Sequence, residues 1–174
     1  MRGIKYLREG NREDEMFKLI AVVLSAMSVA AWTASALAEE SGHWKGKAVL
    51  VVTSQPSIKI ADKKDHQLML SELDGVVFND EGKPFLENAR YQVGDLSDTG
   101  GMVSGGYKTF TAGDGKVFAR YKVTGGDWPT FNGEWTFVGG TEKYKGISGN
   151  GKFKINWISD TTAWDVLEGD YKIP

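Results

Sequence analysis

The stretch GISGNGKF, residues 146–153, places Gly146, Gly151 and Lys152 at the spacing G-x-x-x-x-G-K. That spacing belongs to loops whose backbone amides and lysine cradle phosphates, and it calls next for a Ser or Thr whose hydroxyl holds magnesium. Here the next residue is Phe153. Phosphate loops also need a helix to follow, whereas Phe153-Lys154-Ile155-Asn156-Trp157 alternates at period two, as a strand does. The glycines therefore answer to strand geometry, as bulges, barrel corners or close approaches of another backbone.

A second segment with chemical potential is His66-Gln67-Leu68-Met69-Leu70-Ser71-Glu72-Leu73-Asp74. If Leu68 and Leu70 face inward, His66, Glu72 and Asp74 share that face and could do acid–base work in a pocket. If Met69 and Leu73 face inward, Gln67 and Ser71 join them, and the charged residues form a solvent-facing row of ion pairs. His43 and His66 are the only histidines, with no third ligand clustered beside them, so no catalytic zinc is expected, and no other cofactor either. Neither a Gly-x-Ser-x-Gly elbow nor a paired-carboxylate pattern of the glycosidase kind occurs. Asp165 shares strand parity with Leu167, Tyr171 and Ile173, which makes it a candidate inward acid.

Positioning these groups falls to strands. From about residue 40 onward, runs rich in Val, Ile, Phe, Tyr and Trp alternate with turn signals such as Ala112-Gly113-Asp114-Gly115 and Gly125-Gly126-Asp127, the mark of an all-β chain. Strands are predicted near 44–53, 66–73, 86–95, 103–111, 116–124, 130–138, 150–158 and 163–173. Short connections make an antiparallel meander. Eight such strands predict a closed eight-stranded antiparallel barrel of lipocalin-like shape, since closure removes exposed edges. Alternation turns Ala119, Tyr121, Trp135, Phe137, Phe153 and Trp157 toward the interior. These six either pack as a filled core or line a pocket near one mouth that holds a small apolar molecule. On the outside, Arg120 and Glu134 are expected to pair across adjacent strands.

Residues 16–38 have the three parts of a secretory signal peptide: Met16 and Lys18, an apolar run from Leu19 to Val29, and Ala36-Leu37-Ala38. Export to the periplasm or beyond is expected. Residues 1–15 are polar, carry four acids and fit no part of such a signal, so Met16 reads as the initiator and 1–15 as a non-native upstream extension. Residues 39–174 then make one barrel domain, with nothing left to insert into a membrane after cleavage. The net charge of −2 gives no reason to expect nucleic acid as a partner. With no cysteine, the fold must rest on burial and hydrogen bonding.

The segment from Trp135 to Pro174 resembles the end of allene oxide cyclase-like barrel proteins, with Gly139, Gly140, Thr141, Tyr144, Gly146, Gly149 and Gly151 in the places of that family's pattern. Glu142 departs from it, standing where glycine is common. The segments 65–79 and 105–125 also look like exported bacterial members of the group. The resemblance implies an eight-stranded barrel able to hold a small apolar molecule. It also implies homo-oligomer formation, since the plant cyclases are trimers that ring-close an unsaturated fatty-acid epoxide. No catalytic residue carries over position by position. Three functions stand open: a binder of a small hydrophobic ligand, a cyclase or isomerase working by shape and orientation, and a structural envelope protein with a filled core.

Overall fold

The computed structural model describes residues 39–174 apart from 81, 83 and 102. The expected upstream extension, 1–15, and the expected signal peptide, 16–38, lie outside the described residues. The described residues form nine strands: β1 (Glu40–Ser54), β2 (Ser57–Lys59), β3 (Gln67–Asn79), β4 (Arg90–Asp98), β5 (Val103–Ala112), β6 (Gly115–Asp127), β7 (Thr130–Gly140), β8 (Ser148–Ser159) and β9 (Thr162–Ile173). A 3-10 turn, Glu142–Tyr144, lies between β7 and β8. From β3 onward each strand pairs antiparallel with the next, and β1 closes the ring by pairing with both β9 and β3. The result is a closed eight-stranded antiparallel barrel. The short β2 is an extra strand outside that ring. It takes up the edge of β3 at Gln67–Met69, beyond the Gln55-Pro56 step where β1 has ended.

Alternation explains the walls. Along β9, Ala163, Asp165, Leu167, Gly169, Tyr171 and Ile173 are buried while Trp164, Glu168, Asp170 and Lys172 face water. Two glycines are there for space. A Cβ at Gly75 would fall 1.9 Å from the Val49 carbonyl oxygen, so β3 can lie against β1 only without a side chain there. Gly149 has φ +146° and a Cβ on it would meet the Asp170 carbonyl oxygen at 2.1 Å.

The two ends of the barrel differ. The end formed by the start of β1 and the finish of β3 and β9 is sealed by aromatic packing. Phe85, carried on the β3–β4 connection, stacks on Tyr171 at 3.8 Å and meets Trp44 and Tyr144 edge-on at 5.7 and 6.0 Å. Leu86, Ala89 and Ile147 complete the plug. The predicted strand over 86–95 is corrected here: residues 84–89 form the plug and β4 begins only at Arg90. At the other end, inward-pointing residues near the rim stay half-buried, among them Val52, Met69, Val123, Phe131, Ile155 and Trp157. Solvent reaches those side chains, so this is the more open end of the barrel.

Candidate functional site

Midway along the lumen, Lys108 of β5 reaches Asp165 of β9. Those strands stand four apart around the ring in either direction, so the pair spans the barrel's width. Lys108 is 2% exposed and Asp165 0%. The Lys108 ammonium donates to Asp165 Oδ2 at 2.8 Å and also to the Tyr91 hydroxyl, which donates to the same Oδ2 at 2.7 Å. Asp165 Oδ1 is buried without a hydrogen-bond partner. Around the ammonium, the rings of Phe153, Tyr121 and Tyr91 lie with centroids at 4.2, 4.8 and 5.2 Å, so aromatic faces supply part of its solvation. Room for the lysine comes from Ala119, opposite it on β6.

One step toward the open end lies a second polar group. Asp95 Oδ1 accepts from the Tyr121 hydroxyl and from Ser104 Oγ at 2.8 Å, and its Oδ2 accepts from Ser97 Oγ. Asp95, Gly106 and Tyr121 are register partners across β4, β5 and β6. The Tyr121 phenol crosses β5 at Gly106, where a Cβ would fall 1.9 Å from the Gly94 carbonyl oxygen, to reach the carboxylate. Ser71, also buried, receives a hydrogen bond from Gln55 Nε2 at 3.0 Å.

Burial pushes the Lys108 ammonium below its usual range, against the pull of Asp165, which favours the charged form. The Tyr91 phenol is driven well up by burial and then by the Asp165 charge beside it. Tyr121 is likewise raised, by burial first and Asp95 second. Both phenols are therefore protonated donors across the physiological range. The lumen floor thus presents one ammonium, two carboxylates and hydroxyl groups, under walls of Val, Ile, Phe and Trp.

The six interior residues read from strand parity divide between the halves. Ala119, Trp135 and Phe137 are buried in the sealed half, where Trp135 and Phe137 rings lie 4.6 Å apart and Trp44 packs on Trp135 at 6.1 Å. Tyr121, Phe153 and Trp157 belong to the open half, Trp157 stacking at 5.7 Å on the exposed Trp128. His66 and Glu72 are not brought together. Met69, Ser71 and Leu73 take the inward parity of β3, so Glu72 is exposed on the outer wall. His66 precedes β3 outside the lumen, its Nδ1 bonded to Asp62 and its Nε2 to Asp98 Oδ1 at 2.7 Å. The expected Arg120–Glu134 pair is also corrected: Arg120 opposes Thr136, and Glu134 pairs with Lys122 at 3.3 Å, because the β6–β7 turn falls between Asp127 and Thr130 and the register counts from there. Lys108 and Asp95 escaped sequence reasoning, since a lone charge on a strand reads as outward. For metals, no group of three or more His, Cys, Asp or Glu side chains suited to an ion occurs among the described residues.

Fold and site together define a closed antiparallel β-barrel with one packed end, one open end and a polar floor between. A solved structure of a dirigent protein shares this barrel. A pterocarpan synthase dirigent protein is similar with a TM-score of 0.53 and 13% identity, covering 80% of this chain and 88% of its own. A second pterocarpan synthase dirigent protein gives a TM-score of 0.46 and 14% identity, over 77% of this chain and 95% of its own. No protein-family model matches the chain. No curated protein matches it either.

Proposed function

We propose that this chain is an exported barrel that takes one small, largely apolar and uncharged molecule into its open end. The observation that carries the reading is the floor of the open half: a buried carboxylate oxygen with no partner, Asp165 Oδ1, beneath half-buried apolar walls. An orphaned buried acceptor is costly, and a ligand group that donates to it, directly or through a water, recovers that cost. The charge of the floor narrows the ligand. Two carboxylates face one ammonium, so a fatty-acid carboxylate entering this space meets net negative charge in a poorly screened interior. A neutral hydroxyl or carbonyl compound does not. The barrel shared with a dirigent protein supplies the scaffold for such binding and says nothing of the ligand. Membership of the allene oxide cyclase-like group, suggested by the Gly139–Gly151 pattern, fits the same scaffold.

A second reading, a cyclase or isomerase, is favoured by one specific feature. The Tyr121 hydroxyl and Asp95 carboxylate stand together at the side of the floor nearest the opening, a donor and an acceptor where a bound molecule would arrive. The test common to both is binding. A neutral fluorescent apolar probe should bind the folded protein at one per chain, quench tryptophan emission through Trp157, and be displaced by long-chain alcohols far better than by carboxylates of equal length. Absence of saturable binding to the native state would remove the carrier and the cyclase together, leaving a filled structural barrel.

A further inference from the structure

We propose that Lys108 is an imine-forming lysine and that the ligand class of the open half is an apolar aldehyde or ketone. This rests on the binding reading above and names its substrate chemistry. Three features of the geometry carry it. The amine is the only lysine among the described residues that is buried in the lumen, with aromatic rings on three sides and no bulk water around it. A carboxylate and a phenol lie within hydrogen-bond reach of Nζ, so the groups needed to remove a proton from nitrogen and return one to oxygen are in place. Finally, the next inward position toward the opening on β5 is Gly106, so β5 itself adds no side chain there, and a carbonyl reaches Nζ by moving aside the Tyr121 phenol that crosses at that point to Asp95.

The chemistry balances without any further reactant. Asp165 takes a proton from the Lys108 ammonium, and the freed lone pair adds to the carbonyl carbon as the carbon–oxygen π electrons move to oxygen. The carbinolamine then loses its oxygen as water, protonated by the proton Asp165 held and one from nitrogen, while the carbon–nitrogen double bond forms. In sum, an ammonium and a carbonyl give a protonated imine and one water. The charge beside Asp165 is the same before and after, so the ion pair across the lumen survives the reaction. Burial that weakens the proton's hold on Nζ makes the free amine more available, about tenfold for each unit of lowered pKa. A plain buried ion pair, made for structure alone, is the competing explanation.

Octanal and cyanoborohydride supply the test. The purified protein is incubated with graded octanal, reduced, weighed intact and mapped by peptide mass spectrometry. Saturable addition of one reduced octyl group at Lys108, ahead of exposed lysines such as Lys152, is the expected result. Lys108→Arg keeps the cation and the bridge but forms no imine. In that variant the saturable adduct should disappear, while probe binding is read on the unaltered protein. Labelling confined to surface lysines in a protein that still binds the probe would overturn the imine and leave the carrier standing. A protein that binds neither probe nor octanal would overturn both.

Discussion

At the residue scale the molecule turns on two charges that burial should have excluded. Lys108 and Asp165 are each tolerable only because the other is there, together with Tyr91. Lys108→Met leaves an isolated carboxylate in the lumen and should lower stability by about 3–5 kcal/mol, whereas Lys108→Met with Asp165→Leu should return most of it or exceed the parent. Urea midpoints of the parent, both singles and the double variant test this, and equal loss in single and double variants would show that the pair acts through packing rather than charge. Half of this pair was legible in the chain. Asp165 declared itself by sharing parity with Leu167, Tyr171 and Ile173. Lys108 did not, because Gly105 and Gly106 beside it blur the alternation and because a lysine stem is long enough to serve either face. Its inward position depends on Ala119 and Asp165, which lie on other strands, and no local pattern records that.

At the scale of elements, the β2–β3 connection is held at the rim by His66, clamped between Asp62 and Asp98, with the Asp98 carboxylate also accepting the Gly100 amide at 2.8 Å. Lys63 adds a bond to the Gly100 carbonyl at 2.6 Å, while Lys64 and Asp65 are the other charges on the connection. The carboxylates raise His66 above 6.5, the Asp62 hydrogen bond contributing most, and His66 in turn lowers Asp62 and Asp98 below 3.8. A raised histidine stabilises fully below its unfolded value and loses that contribution as pH climbs through the folded one. Lowered carboxylates stabilise above their unfolded value and lose it on acidification. The clamp should therefore hold best between 3.8 and 6.5 and loosen on the alkaline side. Tryptic cleavage after Lys63 and Lys64, normalised to a free peptide, should be faster near about pH 8.5 than near about pH 6, and His66→Gln should erase the difference. The Gly-rich hairpin makes a separate prediction. Gly149→Val forces a β-branched residue to positive φ against the Asp170 carbonyl and should cost several kcal/mol (roughly), while Lys152→Ala, on the exposed face of β8, should change the melting temperature little. Element order and the late strands were readable because alternation there is regular. The plug was not: Phe85 and Leu86 look like strand residues until the barrel end they must cover is known, and Leu86 at φ +55° has left the extended region altogether.

For the whole molecule, closure itself was legible from eight short strands with tight turns. The asymmetry of its ends was not, since it depends on which connection folds back over the lumen. One consequence of the bridge from β5 to β9 concerns length. With the sealed half filled below it, Lys108 and Asp165 act as the bottom of a well whose depth is the run of β5 from Lys108 to Ser104 near the rim. Four residues of strand rise about 13 Å, and tilt in an eight-stranded barrel shortens that to about 10 Å of depth. The barrel is thus a ruler. In a homologous series of unbranched alcohols or aldehydes, each added methylene should tighten binding by about 0.8 kcal/mol at most until the tail reaches the rim, after which the gain should stop. A titration series that climbs without a break would mean the well has no floor. A break that moves to longer chains in Lys108→Met with Asp165→Leu would show that these two side chains set the zero of the scale.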